Sequence, residues 1–295
     1  MTEIDILPKV SIILPTYNRA DLILAAIQSI LDQTFTNFEI IIIDDCSTDN
    51  TSKVISSIAD PRIKYIYLSK HKGAAFARNE GIKVAFGDFI AFADSDDIWL
   101  KEKLEKQVDV LLNAPDDLGL VYSSVWKIKS KRKIIFPDKS LGMKRSGDIH
   151  KNLLFGNFIT IHVLLRRQCL QKVGFFDEQL SRLQDWDLWL RLSKRYKIFY
   201  INQPLVCVYS SPGAISENKA YFACGLEIII KKFIKEFSGY PKLLAKYYYV
   251  LGRSFYQNNE RIKALEYLES ALDLSPYDLK YMFFVWLLGF NKNKK

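Results

Sequence analysis

Short apolar runs alternate with amphipathic segments along the first hundred residues. The run 10–14 is continuously apolar and stops at Pro15, as expected of a strand that is buried on both faces. Residues 21–31 then place their apolar side chains on one helical face. This alternation predicts βαβ units in a parallel sheet with helices on both faces. The predicted strands cover residues 10–14, 39–43, 63–68 and 89–93, and the predicted helices cover 21–31, 47–58 and 74–86.

The rest of the chain shows two further patterns. Residues 119–218 mix strand and helix patterns, whereas residues 220–290 have helical patterns throughout. We therefore expect one domain over residues 1–218, with halves 1–100 and 101–218, and a helical region over 219–295. Within the mixed part we predict a strand at 119–124, a basic hairpin arm at 127–135, an apolar run at 159–165, a helix at 185–196 and two short strands within 197–209.

Polar side chains cluster where the predicted strands end. Pro15, Thr16 and Tyr17 follow the first strand, Asp45 follows the second and residues 94–97 follow the fourth. The carboxyl ends of the strands in an open α/β sheet lie along one edge, where ligands bind. Three distant segments are therefore expected to meet in one cleft.

The segment Asp94-Ser95-Asp96-Asp97 carries the strongest local signal. The pleat of the preceding strand lets Asp94 and Asp96 reach the same object, with Asp97 beside them. Carboxylates this close repel each other unless a positive charge neutralises them, and Mg²⁺ or Mn²⁺ suits such oxygen ligands. The alternative is that the acids, Asp97 above all, cap a helix over 98–112.

Three further residues are candidates from their own chemistry. Asp45 can accept hydrogen bonds from a nucleobase or a ribose, although it can equally belong to a helix-entry turn. The guanidinium of Arg78 can pair with a diphosphate, unless Arg78 is a surface helix residue. Asp185 begins a helix that carries Trp186 and Trp189, and apolar surroundings would raise its pKa as a general base requires. The alternative is that this helix only packs in the core and has no catalytic role.

Histidine and cysteine chemistry is not expected in this chain. His71, His150 and His162 have no partners at catalytic or metal-binding spacing and are predicted to be structural. The four cysteines form no Cys-x-x-Cys pair, which favours reduced thiols over a zinc site or disulfides.

Charge bears on where the protein works. The formal charge is +9, and from Lys219 onward 13 Lys or Arg face 7 Asp or Glu. Such a region can meet nucleic acid or anionic lipid, or be only a solvated basic face. No nucleic-acid-binding signature accompanies it, so lipid is favoured over nucleic acid. With no signal peptide and an apolar stretch of only ten residues at 281–290, we expect a cytoplasmic protein, peripheral on the inner face of the cell membrane.

Four stretches resemble the family 2 glycosyltransferases of the GT-A fold in order and spacing. They begin with KVSIILPTYNRADLILAAIQSILDQTFTNFEIIIIDDCSTDNT and continue with GAAFARNEGI, FADSDDIW and QDWDLWLRL, so the match spans about residues 9–210. The resemblance implies an α/β fold with a Rossmann-like nucleotide-binding sheet flanked by helices, and a C-terminal helical appendage.

The resemblance also implies roles for the matching residues. Asp185 would be the catalytic base, and Asp96 would bind the Mn²⁺ or Mg²⁺ ion that bridges the donor diphosphate. Asp94 would lie near the ribose and Asp45 at the base of the nucleotide pocket. Pro15, Thr16 and Tyr17 would line that pocket, and Arg78 and Ser95 complete the predicted nucleotide-binding set.

Departures from the family pattern narrow the expected reaction. Gln184 replaces the usual Glu before the base, residues 209–216 lack the Arg and His often found there, and no Gln-x-x-Arg-Trp motif or transmembrane helix follows. The resemblance therefore implies inverting transfer of a single sugar, not processive synthesis. The donor would be a nucleotide-diphosphate sugar, a UDP-sugar in our prediction. The acceptor would be a hydroxyl of a glycan or lipid-linked acceptor of a growing surface or capsular glycan.

Two alternatives stay open from sequence. A nucleotidyltransferase also uses a metal-bound acidic cluster, but it would normally carry a Gly-rich basic loop where this chain has PTYNRAD. A non-catalytic partner protein that has kept the fold is the other, and Gln184 keeps it open. Turnover of a sugar nucleotide would exclude the non-catalytic protein.

Overall fold

The chain divides into two units in the computed structural model, which describes residues 9–129, 132–138, 142–210 and 219–290. The first unit comprises residues 1–179 and 184–212, and the second comprises 180–183 and 213–295. Over the described residues, a mixed sheet lies in the first unit. Its strands are β1 (Val10–Thr16), β2 (Phe38–Asp44), β3 (Ile63–Tyr67), β4 (Phe89–Phe92), β5 (Ile98–Trp99), β6 (Leu118–Lys129), β7 (Arg132–Phe136), β8 (Leu164–Arg166) and β9 (Lys197–Tyr209).

The first four strands confirm the predicted parallel arrangement. They lie in the order β3-β2-β1-β4, and all seven residues of β1 are buried. The expected stop at Pro15 is wrong, because β1 continues to Thr16. Pairing with β4 ends at Ile13, so Pro15 lies where β1 is paired with β2 alone and its missing N–H breaks no ladder.

The second half of the sheet, where the sequence predicted only a mixture of strands and helices, is mostly antiparallel. The order continues β4-β8-β6-β9-β5, and of these contacts only β6 with β9 is parallel. The two strands predicted within 197–209 form the single strand β9. Its register against β6 jumps from Ile201 to Pro204 between adjacent β6 residues, so an irregularity absorbs the break that the sequence suggested.

Helices cover both faces of the parallel strands, as predicted. On one face of the sheet, Ile12 of β1 and Ile40 of β2 pack with Ile27 and Leu104. Gly81 lies against Ile13 on the other. The helices of the first unit are α1 (Ile23–Leu31), α2 (Thr51–Ser56), α3 (Ala74–Lys83), α4 (Lys103–Leu112), α5 (His150–Leu154), α6 (Arg167–Val173) and α7 (Gln184–Ser193).

The helix considered over residues 98–112 begins only at Lys103. Residues 98–99 form β5 instead, and the residue that precedes α4 is Glu102. The alternative in which Asp97 caps a helix is therefore wrong, and its carboxylate must be explained by other partners.

The second unit is built of helices over residues 219–290, as predicted. Gly252 brings two of its helices together, because a Cβ at this position would lie 2.6 Å from the Leu268 side chain. No helix in the described part of the chain combines the length and the apolar character needed to cross a bilayer. The helices are α8 (Lys219–Lys232), α9 (Ile234–Ser238), α10 (Pro241–Gln257), α11 (Arg261–Leu274) and α12 (Leu279–Phe290).

Candidate active site

An acidic loop follows β4 and turns at the edge of the sheet. Asp94 and Asp96 are half-buried, whereas Ser95 and Asp97 are buried. From α3, Arg78 donates from Nη2 to Oδ1 of Asp94 over 2.7 Å. Arg78 is almost fully buried, and its Nε has no hydrogen-bond partner among the described residues. A buried guanidinium with an unused donor, aimed at this loop, suits an anionic ligand.

Asp97 is anchored by two distant segments. Its Oδ2 lies 2.7 Å from Nε2 of His162, and both side chains are buried. Its Oδ1 accepts a hydrogen bond from the backbone N–H of Tyr209 at 3.0 Å. Burial raises the pKa of Asp97, and the bond from His162 opposes that rise. The sequence indicated no catalytic or metal-binding partner for His162, but in the structure its ring contacts the carboxylate of Asp97.

The residues of this loop fit a divalent cation. Oxygen and nitrogen atoms of Asp94, Asp97 and His162 lie within 4.8 Å of one another. Carboxylate oxygens with an imidazole are suitable ligands for Mn²⁺ and, for the oxygens, Mg²⁺. Asp96 belongs to the same loop but not to this group, so its assignment as the metal ligand stays a prediction.

Asp185 is the second residue of α7, which begins at Gln184 and ends at Ser193, whereas the sequence predicted a helix over 185–196. Its Oδ2 accepts a hydrogen bond from Nδ2 of Asn157 at 2.9 Å, and its Oδ1 accepts one from the backbone N–H of Trp186 at 2.8 Å. Burial raises the pKa of Asp185, and the hydrogen bonds and the charge of Arg78 offset part of that rise, whereas Asp94 adds to it. Arg78, Asp94 and Asp185 thus form one electrostatically coupled group.

Asp187 lies two residues after Asp185 on α7 and has different partners. It is fully buried, and its Oδ2 accepts hydrogen bonds from Nε and Nη2 of Arg191 at 2.9 and 2.7 Å. Arg191 also donates to the backbone carbonyls of residues 173–175. This ion pair ties α7 to the end of α6, which leaves Asp185 as the carboxylate suited to accept a proton.

Asp45 lies at the end of β2 in a cradle of backbone donors. Its carboxylate accepts hydrogen bonds from the N–H of Lys72 at 2.8 Å and of Gly73 at 2.7 Å, and lies 2.9 Å from Nδ1 of His71. Gly73 has φ +91°, a conformation that favours glycine at this position. The ring of His71 lies 4.1 Å from that of Tyr17, which is 40% exposed. An exposed aromatic face beside a fixed carboxylate suits a planar base with N–H donors.

The other residues at these strand ends divide into two groups. Pro15 and Thr16 are buried in β1, and Oγ1 of Thr16 has no hydrogen-bond partner among the described residues. Asp44 is structural, because it accepts from the hydroxyl of Tyr65 and from the N–H of Ser47, both at 2.8 Å. Asp44 and Asp45 are thus adjacent in sequence but have different hydrogen-bond partners.

Several contacts in the site were not predicted from the sequence. His71 and Asn157 contact the carboxylates of Asp45 and Asp185, and nothing local in the sequence marks them. Asn79, next to Arg78 on α3, bonds to the backbone of Phe176 and to Glu178. His150 remains a structural residue that contacts Ser193. Residues 211–216, where the family's lid contacts are expected, lie outside the described residues.

Comparison with known proteins gives a consistent answer. The sequence pattern that defines "Glycosyl transferase family 2" matches residues 11–174. The chain is 37% identical over 215 residues to the UDP-Glc:alpha-D-GlcNAc-diphosphoundecaprenol beta-1,3-glucosyltransferase WfgD of Escherichia coli, which covers 71% of this chain and 80% of WfgD. It is 33% identical over 217 residues to TuaG of Bacillus subtilis, a glycosyltransferase provisionally assigned to teichuronic acid biosynthesis, which covers 72% of this chain and 83% of TuaG.

Solved structures support the fold. Residues 1–349 of TarS from S. aureus, in complex with UDP-GlcNAc, superpose with a TM-score of 0.70 at 20% identity, covering 90% of this chain and 81% of that one. The mannosyltransferase PcManGT from Pyrobaculum calidifontis, in complex with GDP-Man and Mn²⁺, gives 0.61 at 18% identity, covering 96% and 84%. These likenesses confirm the fold that was expected from the sequence.

Proposed function

The chain belongs to glycosyl transferase family 2 and is a glycosyltransferase, and we propose that it transfers a single sugar from a UDP-sugar to a hydroxyl of a lipid-linked or glycan acceptor, with inversion. The UDP-Glc donor of WfgD and the UDP-GlcNAc bound in the TarS complex support this class of donor. The diphosphoundecaprenol of WfgD and the teichuronic acid of TuaG support an acceptor in surface polysaccharide biosynthesis.

The environment of Asp185 carries this proposal. Its raised pKa and its contact with the neutral Asn157 leave it able to take up a proton, and Arg78 and Asp94 lie close enough to interact with it. We assign to Asp185 the removal of the proton from the acceptor hydroxyl while that oxygen attacks the anomeric carbon. Attack on the face opposite the departing diphosphate inverts the anomeric configuration.

Donor binding follows from the strand ends. Asp45 and Tyr17 would hold the nucleobase, with Pro15 and Thr16 lining the same pocket, and Arg78 would face the diphosphate. Asp96 would hold Mn²⁺ or Mg²⁺, with Asp94 and Ser95 beside it. A bound ion would supply Lewis-acid stabilisation of charge on the leaving diphosphate. The non-catalytic protein and the nucleotidyltransferase remain outcomes of the tests below.

We also propose that the second unit contacts an anionic bilayer at the inner face of the membrane. Residues Tyr281 and Leu288 of α12 are buried, and the opposite side of the same helix is also apolar. This outer face of α12 comprises Leu279, Met282, Phe283 and Trp286, which are all exposed and follow the i, i+3, i+4, i+7 spacing of one helical face. An apolar face with a Trp in a unit rich in Lys and Arg is typical of helices that lie in a membrane interface. The basic residues 291–295 lie outside the described part of the chain.

Substitution of Asp185 by Asn should lower kcat by roughly 10²- to 10⁴-fold, because the acceptor loses its base. KM for the UDP-sugar should change little, since Asp185 acts on the acceptor. UDP release in the presence of acceptor measures the rate. The exposed Asp116→Asn serves as the control for loss of one carboxylate, and full activity of Asp185→Asn would remove the base assignment. If the wild-type chain turns over no sugar nucleotide, the non-catalytic protein is favoured; release of pyrophosphate from a nucleoside triphosphate in the presence of a sugar phosphate indicates a nucleotidyltransferase.

Substitution of Asn157 by Ala should move the acidic limb of the pH profile of kcat to higher pH. Burial raises the pKa of Asp185, and the hydrogen bond from Asn157 lowers it, so removal of this bond raises the pKa further. Asp185 works only as a carboxylate, so activity is then lost at a higher pH as the solution is acidified. Asn113→Ala, on the exposed end of α4, is the control. A limb that stays in place or moves to lower pH would contradict the assignment.

Removal of divalent ions by EDTA should abolish sugar transfer, and added Mn²⁺ or Mg²⁺ should restore it in the wild-type chain. Asp96→Ala should stay inactive at any Mn²⁺ concentration, because the proposed ligand is gone. Titration of activity with Mn²⁺ distinguishes the two candidate sites. If Asp94, Asp97 and His162 hold the ion instead, His162→Gln raises the Mn²⁺ requirement and Asp96→Ala does not.

The double substitution Phe283→Ser and Trp286→Ser should abolish co-sedimentation with vesicles that contain phosphatidylglycerol. Ile262→Ser is the matched control, since Ile262 is 74% exposed but lies on α11 outside the outer face. Binding should weaken with added salt. Unchanged vesicle binding, or a dimer in size-exclusion chromatography that the double substitution dissociates, would show that the outer face does not serve the membrane.

A further inference from the structure

The hairpin formed by β6 and β7 carries an unusual concentration of positive charge. Its seven residues 127–133 include five Lys or Arg and no Asp or Glu. The proposed transfer reaction, as described above, uses none of them. No salt bridge to Lys127, Lys129 or Arg132 occurs among the described residues of the chain.

The register of the hairpin places three of these cations on one face. Lys129 pairs directly with Arg132, and Lys127 pairs with Ile134 two positions further from the turn. Directly paired residues in an antiparallel ladder share a face, as do alternate residues of one strand. We call Lys127, Lys129 and Arg132 the cationic face. Like charges in directly opposite positions destabilise a hairpin unless an anion neutralises them.

The inner end of the cationic face lies within electrostatic range of Asp185, the proposed catalytic base. Lys127 is half-buried, with its Nζ 3.5 Å from the centre of the Phe136 ring. Burial lowers the pKa of Lys127, and the charge of Asp185 opposes that change, so the two groups interact electrostatically. Lys129 and Arg132, further out along the hairpin, are exposed.

A second connection joins the hairpin to the acidic loop. Ile128 of β6 pairs with Tyr209 of β9, and the N–H of Tyr209 donates to Asp97. The cationic face therefore begins at the strand pair that is bonded to the acidic loop, within electrostatic range of Asp185. The cation that faces the acidic loop from α3 is Arg78, which pairs with Asp94, so the hairpin supplies a separate set of positive charges.

We propose that the cationic face binds the phosphate groups of the acceptor and thereby places its hydroxyl at Asp185. The ligand class is a sugar that carries a phosphate or diphosphate ester. An exposed Lys and Arg in opposite positions can each bond to oxygens of one diphosphate, which removes their mutual repulsion. This inference rests on the proposed transfer reaction and adds how the acceptor is recognised. A lipid headgroup offers the same phosphate chemistry, and the experiment distinguishes the two sources.

Titration calorimetry with butyl diphosphate tests the proposal. The full chain is first saturated with UDP and Mg²⁺, so that the donor's diphosphate site is filled. We expect butyl diphosphate to bind the wild-type chain and to bind Lys129→Gln/Arg132→Gln roughly tenfold or more weakly, because two charge-assisted contacts are lost. Lys101→Gln/Lys172→Gln removes the same charge at exposed positions elsewhere and should bind as the wild-type chain does.

Three results would overturn the proposal. The first is equal affinity of the two double variants, and the second is no binding of butyl diphosphate to the wild-type chain. The third is binding to phosphatidylglycerol vesicles that depends on Lys129 and Arg132 while butyl diphosphate binding does not, which assigns the cationic face to a headgroup. Thermal unfolding verifies that each variant is folded. The assay measures binding without turnover, so its failure is distinct from a failure of sugar transfer.

Discussion

The site depends on which carboxylates at the strand ends are already neutralised by a partner within the protein. Burying a carboxylate costs free energy unless it is paired or hydrogen-bonded. The partners of an acid at this edge therefore limit what that acid can do. Asp187 has Arg191, Asp94 has Arg78, and Asp97 has His162. Among the described residues, Asp185 has only neutral hydrogen-bond donors in direct contact, and burial raises its pKa. That contrast favours Asp185 over these neighbours as the proton acceptor.

The same reasoning separates acids that are adjacent in sequence. Asp44 is the last residue of β2 and Asp45 follows it. Asp44 accepts a hydrogen bond from the Tyr65 hydroxyl, whereas Asp45 accepts hydrogen bonds from backbone N–H groups of the turn before α3. The turn that holds Asp45 also carries His71 against Tyr17. Since α3 begins at this turn and presents Arg78 to Asp94, one short segment connects the proposed nucleobase and diphosphate positions.

Sequence patterns predicted what is local and failed where partners are distant. The four parallel strands and the acids that follow them could be read directly, because each is marked by a continuous apolar run and its end. The bond between Asp97 and His162 spans 65 residues, and the antiparallel placement of β8 on β4 has no local signature either. The helix considered from residue 98 was wrong because Ile98 and Trp99 pair with β9, a tertiary contact that overrides the local pattern.

The geometry of β9 gives a physical reason why an acceptor held on the hairpin would meet the donor in a fixed position. Its end is bonded on one side to β6, which carries the cationic face, and its last N–H is bonded to Asp97 in the acidic loop. The distance between these two oppositely charged regions is therefore fixed by backbone hydrogen bonds and by a buried carboxylate. Reacting groups gain most from being held in one geometry when the supporting elements are rigid. In the proposed complex, the flexible Lys and Arg side chains would need only to bind the phosphates, since the sheet would hold the acceptor hydroxyl in position at Asp185.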